Sequence, residues 1–452
     1  MNKIKSFIDK HVDKHLPLKS SPVAHQTPPP PAPPHFIQSF PNEHDLYLYR
    51  RQHGVNLGSW FVLERWIADS PYRCAAQPGQ SDLDVAKGSN AREILEHHWD
   101  HWIVEDDWSW ISQRGLNTVR IPIGFYHICG ADPSVLNGTE FADKGEVFAG
   151  AWSRIINAIA TAHRHGLGVL IDLHAAPGKQ NADAHSGTSS SSISFFQSSN
   201  FQRTTQILTS LLTHLTTFTR THNPPLPNLI GIELVNEPNP PSNSDHDALK
   251  RWYATTIEAM RRIDPDIPLY IGDSWRAGEY AGFVKSLGAG SSSSTSSFVV
   301  LDHHLYRCFT QSDGATPASQ HAHALRESKQ FSNDVNTLSE AGAGLVVGEW
   351  SGALNPGSLH GVGDQESAKR EFVDAQLALF ERDCAGWFWW TYKKEHRGDS
   401  GWSMRDAVEK GVFPSWVGMR LSRAPENDGG RRENAKNQAW GLPFPSCMSP
   451  RC

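Results

Sequence analysis

Two glutamates stand where short apolar runs turn polar: Glu237 in NLIGIELVNEPN (228–239) and Glu349 in GLVVGEWSG (344–352). Paired carboxylates facing one cavity are the equipment for cleaving a glycosidic bond. One protonates the leaving oxygen, and the other attacks the anomeric carbon or activates water. An Asn-Glu-Pro step is also ordinary turn chemistry at a strand end, so the other run ends must decide between the readings. They carry Arg120 in LNTVRIPIG, His174 in LGVLIDLHAA, Asn236 beside Glu237, His304 and Tyr306 in SFVVLDHHLY, and Trp390 in GWFWWTY. Each is polar or aromatic where its own run is aliphatic upstream. Strands that merely emerge into solvent would scatter Lys and Ser at these positions as well.

Two catalytic carboxylates need environments that push their pKa values apart. Arg120 near Glu349 would keep that carboxylate ionised, and the Tyr306 hydroxyl would donate to it. Glu237 has no such cation in view and reads as the acid.

The elements that must carry these residues follow from the pattern. Eight runs rich in Val, Ile and Leu occur at 54–61, 116–124, 167–176, 228–238, 267–275, 297–306, 344–352 and 386–392. Between them lie helical patterns such as AREILEHHWDHWIVEDDWSWISQRG and AKREFVDAQLALFERD, with apolar positions recurring at three and four. Strands alternating with helices imply a parallel sheet. Eight units predict an α/β fold, a (β/α)8 TIM barrel with loop insertions, whose active face is built at the C-terminal strand ends. No G-x-G-x-x-G opens a helix after any of these runs, which argues against a dinucleotide fold. Serine tracts at 189–192 and 291–297 read as loops. Residues 1–46 read as an N-terminal extension ending in the proline-rich TPPPPAPPHF, residues 47–421 as the catalytic domain, and 422–452 as a polar C-terminal tail.

Composition narrows the partners. A net charge of −6 without a Lys/Arg block gives no footprint for nucleic acid. The 16 Trp and 20 Phe suit core packing and stacking on sugar faces. Cys74, Cys129, Cys308, Cys384, Cys447 and Cys452 are scattered, so free thiols are expected. No apolar run reaches about 18 residues, and the first residues lack the apolar stretch of a secretory signal, so a cytoplasmic protein is expected. Ile4, Phe7, Ile8, Val12 and Leu16 fall near one helical stripe, with Lys3, Lys5, Lys10 and Lys14 beside it. Residues 1–20 thus read either as a packing face or as a peripheral contact with an anionic membrane or an organelle address.

GVNLGSWFVLERWI, VRIPIGFYHI, IDLHAAPGKQN, LVNEPN, LDHHLYRCF, VVGEWSGAL and GWFWWTYKKE together resemble, in order, the motifs of glycoside hydrolase family 5, most closely its fungal exo-β-1,3-glucanase branch. The likeness covers about residues 50–400. It implies a retaining double displacement on a β-glucoside or β-glucan, with Glu237 as acid/base and Glu349 as nucleophile. It further implies Arg120, His174, Asn236, His304 and Tyr306 as the supporting shell, Glu64 as a sugar-hydroxyl acceptor, and Trp390 as the platform under the sugar. No cofactor is implied, and a monomer is expected. Arg65 stands where the secreted glucanases have proline, Leu305 replaces a histidine, and the loop GKQNADAHSGTSSSS differs from its counterpart. These departures, with the missing secretory signal, make a glycolipid or steryl glucoside an alternative substrate.

Two further readings compete. His97, His98 and His101 in EHHWDHW invite a metal, but an amphipathic helix without a third ligand explains them. Asp302, His303 and His304 invite a metal hydrolase, which two glutamates make unnecessary. A sugar-binding barrel without catalysis would have no need of an acid and a nucleophile together.

Overall fold

The computed structural model describes residues 42–288 and 298–417. Eight parallel strands close into a barrel in sequence order: β1 (Gln52–Asn56), β2 (Thr118–Gly124), β3 (Gly168–Ala175), β4 (Leu229–Glu233), β5 (Leu269–Gly272), β6 (Val299–Leu305), β7 (Gly344–Trp350) and β8 (Gly386–Trp389). The expected (β/α)8 barrel is therefore the observed one, with strands shorter than their apolar runs. The helices outside bury one stripe each. Ser198–Thr221 turns Phe201, Leu208, Leu211, Leu212 and Leu215 inward, the three-and-four spacing that a helix against a sheet requires. Asn243–Arg261 starts at Ser242, whose hydroxyl accepts from the Asp245 amide.

Inside the barrel, side chains lie in layers. The lower layer is apolar, formed by Leu170, Ile230, Tyr270, Val346 and Phe388. The ring of Phe388 occupies the space a Cβ on Gly54 would take, 2.2 Å from the nearest ring carbon, which is why β1 carries glycine there. A short helix, Glu43–Tyr49, closes this end by adding Tyr47 to the cluster. Asn42 caps it by accepting from the Asp45 amide at 2.9 Å. The fold thus takes in Asn42 to Leu46, and this helix straddles the boundary expected at residue 46. The boundary expected at 421, the tail and the stripe of residues 1–20 lie outside the described residues, as does the serine tract 291–297. Ser189–Ser192 is a loop, as expected.

The upper layer is polar. Arg120, Asp172, Glu233 and Asp302 are buried on β2, β3, β4 and β6. Because strand side chains alternate faces, His174 and His304 point the same way two residues further along. Cys129, Cys308 and Cys384 are free. Cys74 is disulfide-bonded, which corrects the free-thiol expectation at that position.

Candidate active site

The floor of the site is Arg120. Its guanidinium pairs with Glu233 at 2.7 Å, Asp172 at 3.0 Å and Glu349 at 3.0 Å. It also donates to Asn56 Oδ1 at 2.9 Å and Asn236 Oδ1 at 2.8 Å. One cation serving three buried carboxylates leaves the layer short of positive charge. Burial accordingly pushes Asp172 up to about 7 against the pull of Arg120, and raises Glu233 as well.

Above this floor the two glutamates face each other across His304. His304 Nδ1 lies 2.7 Å from Glu237 Oε1 and 3.5 Å from Glu349 Oε2, and an oxygen of each glutamate lies within 4.8 Å of the other. A register shift between His303 and His304 sets His304 directly beside Glu349 on β7. Tyr306 donates to Glu349 Oε2 at 2.9 Å, so Glu349 is held from two sides. Burial raises Glu349 to about 7, helped by the facing Glu237 and opposed by His304, Arg120 and Tyr306. Burial also raises Glu237, but the hydrogen bond and positive charge of His304 outweigh it and bring Glu237 down to about 2. The carboxylates in turn hold the His304 imidazole well above its ordinary value despite burial, Glu349 most strongly. This corrects the expectation that Glu237 lacks a cation. A histidine two strands away supplies it, and the resting order of the two pKa values is the reverse of the expected one.

Beyond β4 the chain leaves the ladder but stays tied to the barrel, with the Asn236 amide donating to Leu173 O at 3.0 Å. Glu237 itself sits at φ +43°, a left-handed conformation a glutamate adopts only under constraint. The constraint is the loop after β3: Gln180 Nε2 donates to Asn236 O at 3.1 Å, and Asn181 Nδ2 to Glu237 O at 3.1 Å. His174 gives Nδ1–H to Asp172 at 2.6 Å, which leaves Nε2 as acceptor 3.1 Å from His185 Nδ1. Burial pushes His185 down to about 4 and holds His174 well below its ordinary value, so both rings are neutral at neutral pH. Trp390, joined to Thr391 by a cis peptide bond, lies parallel to His174 at 3° with centroids 5.7 Å apart. Glu64 accepts from Trp66 Nε1 at 2.8 Å. Burial, with Glu349, Glu237 and Asp183 nearby, raises it to about 8. All nine residues singled out in the sequence therefore belong to one cleft.

The cellulase family, glycosyl hydrolase family 5, matches residues 86–396. Similar proteins include glucan 1,3-beta-glucosidase 3 of Schizosaccharomyces pombe, 33% identical over 385 residues, which cover 82% of this chain and 75% of that protein. A probable glucan 1,3-beta-glucosidase A of Aspergillus clavatus is 31% identical over 400 residues, 80% of this chain and 87% of that protein. The chain belongs to glycosyl hydrolase family 5. Among solved structures, the rutinosidase of Aspergillus niger shares this family 5 fold at a TM-score of 0.62 and 17% identity, covering 81% of this chain and 98% of that one.

Several residues of this family 5 cleft escape sequence reading. Asn56, Asp172 and Glu233 lie inside the strand runs, and Asp302 reads in the sequence only as a metal-ligand candidate; the signal is alternation, since Asp172 and Asp302 stand two before His174 and His304. Gln180, Asn181 and His185 sit on a loop with no periodicity to mark them. The rim adds exposed aromatic faces. Trp66 meets Trp402 edge-on at 5.2 Å, and Trp402 also meets Tyr306 and Phe309. Across the cleft, Ser274 and Trp275 line a recess beside Glu237. Of the departures, Arg65 turns to Asp69 and Gly79, and Leu305 packs in the core.

Of the suspected metal clusters, the first is split and the second loses His303, while Asp302 and His304 stay together with Glu233 within 4.8 Å. His98 is buried against Ser59 O at 2.6 Å, away from His97 and His101. His303 pairs with Asp273 at 2.6 Å.

Proposed function

We propose that this retaining β-glycosidase releases glucose from the non-reducing ends of β-1,3-linked glucans or glucosides, with Glu349 as nucleophile and Glu237 as acid/base. The observation that carries the retaining mechanism is the separation of the two carboxylates, an oxygen of each lying within 4.8 Å of the other. Double displacement uses carboxyl groups about 5–5.5 Å apart, whereas inversion needs about 6.5–9.5 Å to admit a water. Glu349 suits the nucleophile because Arg120 and Tyr306 each grip one of its oxygens and fix its aim. Glu237 suits the acid because its proton has a source. The three groups Glu237, His304 and Glu349 titrate as a unit, and the proton on His304 Nδ1 is one 2.7 Å hydrogen bond from Glu237 Oε1. As Glu349 bonds to the anomeric carbon its charge disappears, and with it the strongest support for the imidazolium. The proton then moves toward Glu237 and the leaving oxygen. Asn236 and His174, held by Arg120 and Asp172, would bind the sugar hydroxyls together with Glu64, and Trp390 would lie under the ring.

The likeness to glucan 1,3-beta-glucosidases supports the β-1,3 preference. A second reading, a steryl or lipid glucoside, is favoured by the exposed faces of Trp275 and Phe309, which suit a flat apolar aglycone. Comparing kcat/KM on laminari-oligosaccharides and on a steryl glucoside decides between them. The roles of the glutamates are tested with azide and an activated aryl β-glucoside. Glu349→Ala is expected to yield the α-glycosyl azide, because azide enters from the vacated face, and Glu237→Ala the β-glycosyl azide, because azide then intercepts the covalent intermediate. The opposite anomers, or wild-type turnover by Glu349→Ala, would overturn the assignment.

A further inference from the structure

His174 Nε2 and His185 Nδ1 face each other at 3.1 Å, and a carboxylate oxygen of Glu64 lies within 4.8 Å of both. Two nitrogens bound to one tetrahedral zinc, at Zn–N of about 2.05 Å, stand about 3.3 Å apart. The two rings are thus spaced to share an ion in place of the proton between them. On its far side His174 is anchored by Asp172 at 2.6 Å, the carboxylate–histidine arrangement that orients metal-binding imidazoles. His185 is steadied at its other nitrogen by Asn181 at 3.3 Å. Its side chain is only 12% exposed.

Charge points the same way. Glu349, Glu237 and Asp183 each place negative charge against Glu64 in this part of the cleft, while Arg120 is already engaged by Asp172, Glu233 and Glu349. Two imidazoles and the Glu64 carboxyl, whose proton the ion would displace, form a His2Glu set that leaves the fourth tetrahedral position for water, which suits zinc better than a hard cation such as calcium.

We infer that His174, His185 and Glu64 bind a divalent transition metal ion, with Zn2+ as the type, and that the bound ion blocks the sugar pocket. The site is inhibitory and has no part in the hydrolytic chemistry. Only the blocking rests on the proposed sugar site, since metal binding is measurable without turnover.

The exposed pair His97 and His101, with rings 4.1 Å apart on helix Ala91–Trp102, provides the control. It has no third ligand among the described residues. Full-length protein is titrated with Zn2+ against a chromophoric chelator, and with Co2+ to record its absorption bands. Wild type is expected to bind one ion with the intense bands of tetrahedral Co2+. His185→Asn is expected to weaken Zn2+ binding by about 10- to 100-fold or more and to remove those bands, with His97→Ala unchanged. Glu64→Gln provides a second, independent variant with the same expected direction, so either folded protein suffices. Zn2+ is also expected to inhibit aryl β-glucoside hydrolysis competitively, with an inhibition constant matching the Kd. Wild-type affinity in the variants, or loss of the ion in His97→Ala, would overturn the site. Tight binding at His185 without competitive inhibition would overturn the blocking alone, and a protein that binds Zn2+ there but hydrolyses nothing would overturn the hydrolase reading and leave the metal site standing.

Discussion

Glu349 attacks only as a carboxylate, yet burial holds its pKa at about 7. The sign follows directly. A raised pKa means the ionised form is lost as pH falls through it, so Glu349 sets the acid limb of kcat/KM. Tyr306 lowers that pKa by donating to Oε2 at 2.9 Å, and burial raises the pKa of Tyr306 itself, so the phenol stays protonated. Tyr306→Phe is therefore expected to move the acid limb to higher pH, measured as the pH profile of kcat/KM on an aryl β-glucoside. A limb that stays in place or moves down would remove Glu349 from the group that must be ionised. At this scale the cleft was legible wherever a chemically distinctive residue ended an apolar run, as at His174, Asn236 and Glu349. The charge relation between the glutamates was not. It depends on His304 reaching Glu237 from two strands away, and no local pattern encodes a contact between residues separated by 67 positions.

The elements place these groups through register, and β6 against β7 is the critical pair. Gly348 precedes Glu349 and donates its amide to Asp302 at 2.7 Å. A Cβ on Gly348 would stand 2.1 Å from the Asp302 carboxylate, which is itself buried and cannot swing away. Gly348→Ala must therefore push β7 from β6, and Glu349 with it. The expected result is a loss of about 1–3 kcal/mol in stability together with a fall in kcat that exceeds the change in KM, read from denaturant unfolding and aryl glucoside kinetics. Unchanged kinetics in a destabilised protein would show that the glutamate is positioned from elsewhere. The sequence marked all eight strands but overextended most of them. Hydrophobic runs report burial, and the chain stays buried past the last residue of the strand, as at Leu234 and Val235 beyond β4.

The whole molecule divides its labour between the two ends of the barrel. The alternation of apolar runs and helical patterns made that architecture legible, because each periodicity follows from how a strand or helix buries a face. The floor was not legible: Glu43–Tyr49 is a single short helix next to a proline-rich stretch, with Tyr47 buried and Leu48 packed beside it while Leu46 and Tyr49 remain exposed. Tyr47 is 5% exposed and closes the apolar layer of Leu170, Ile230, Tyr270, Val346 and Phe388. The glutamates lie at the opposite end, above the Arg120 layer. Removing the Tyr47 ring leaves a cavity at the floor that its rigid barrel neighbours can only partly fill. Tyr47→Ala is thus expected to cost about 3 kcal/mol or more in stability while leaving kcat/KM per folded molecule near the wild-type value. Chemical denaturation and aryl β-glucoside hydrolysis measured on the same preparation make the comparison. A fall in kcat/KM proportionate to that of a cleft mutant would mean that the floor and the mouth move together, and that the polar layer of Arg120, Asp172 and Glu233 does not isolate one from the other.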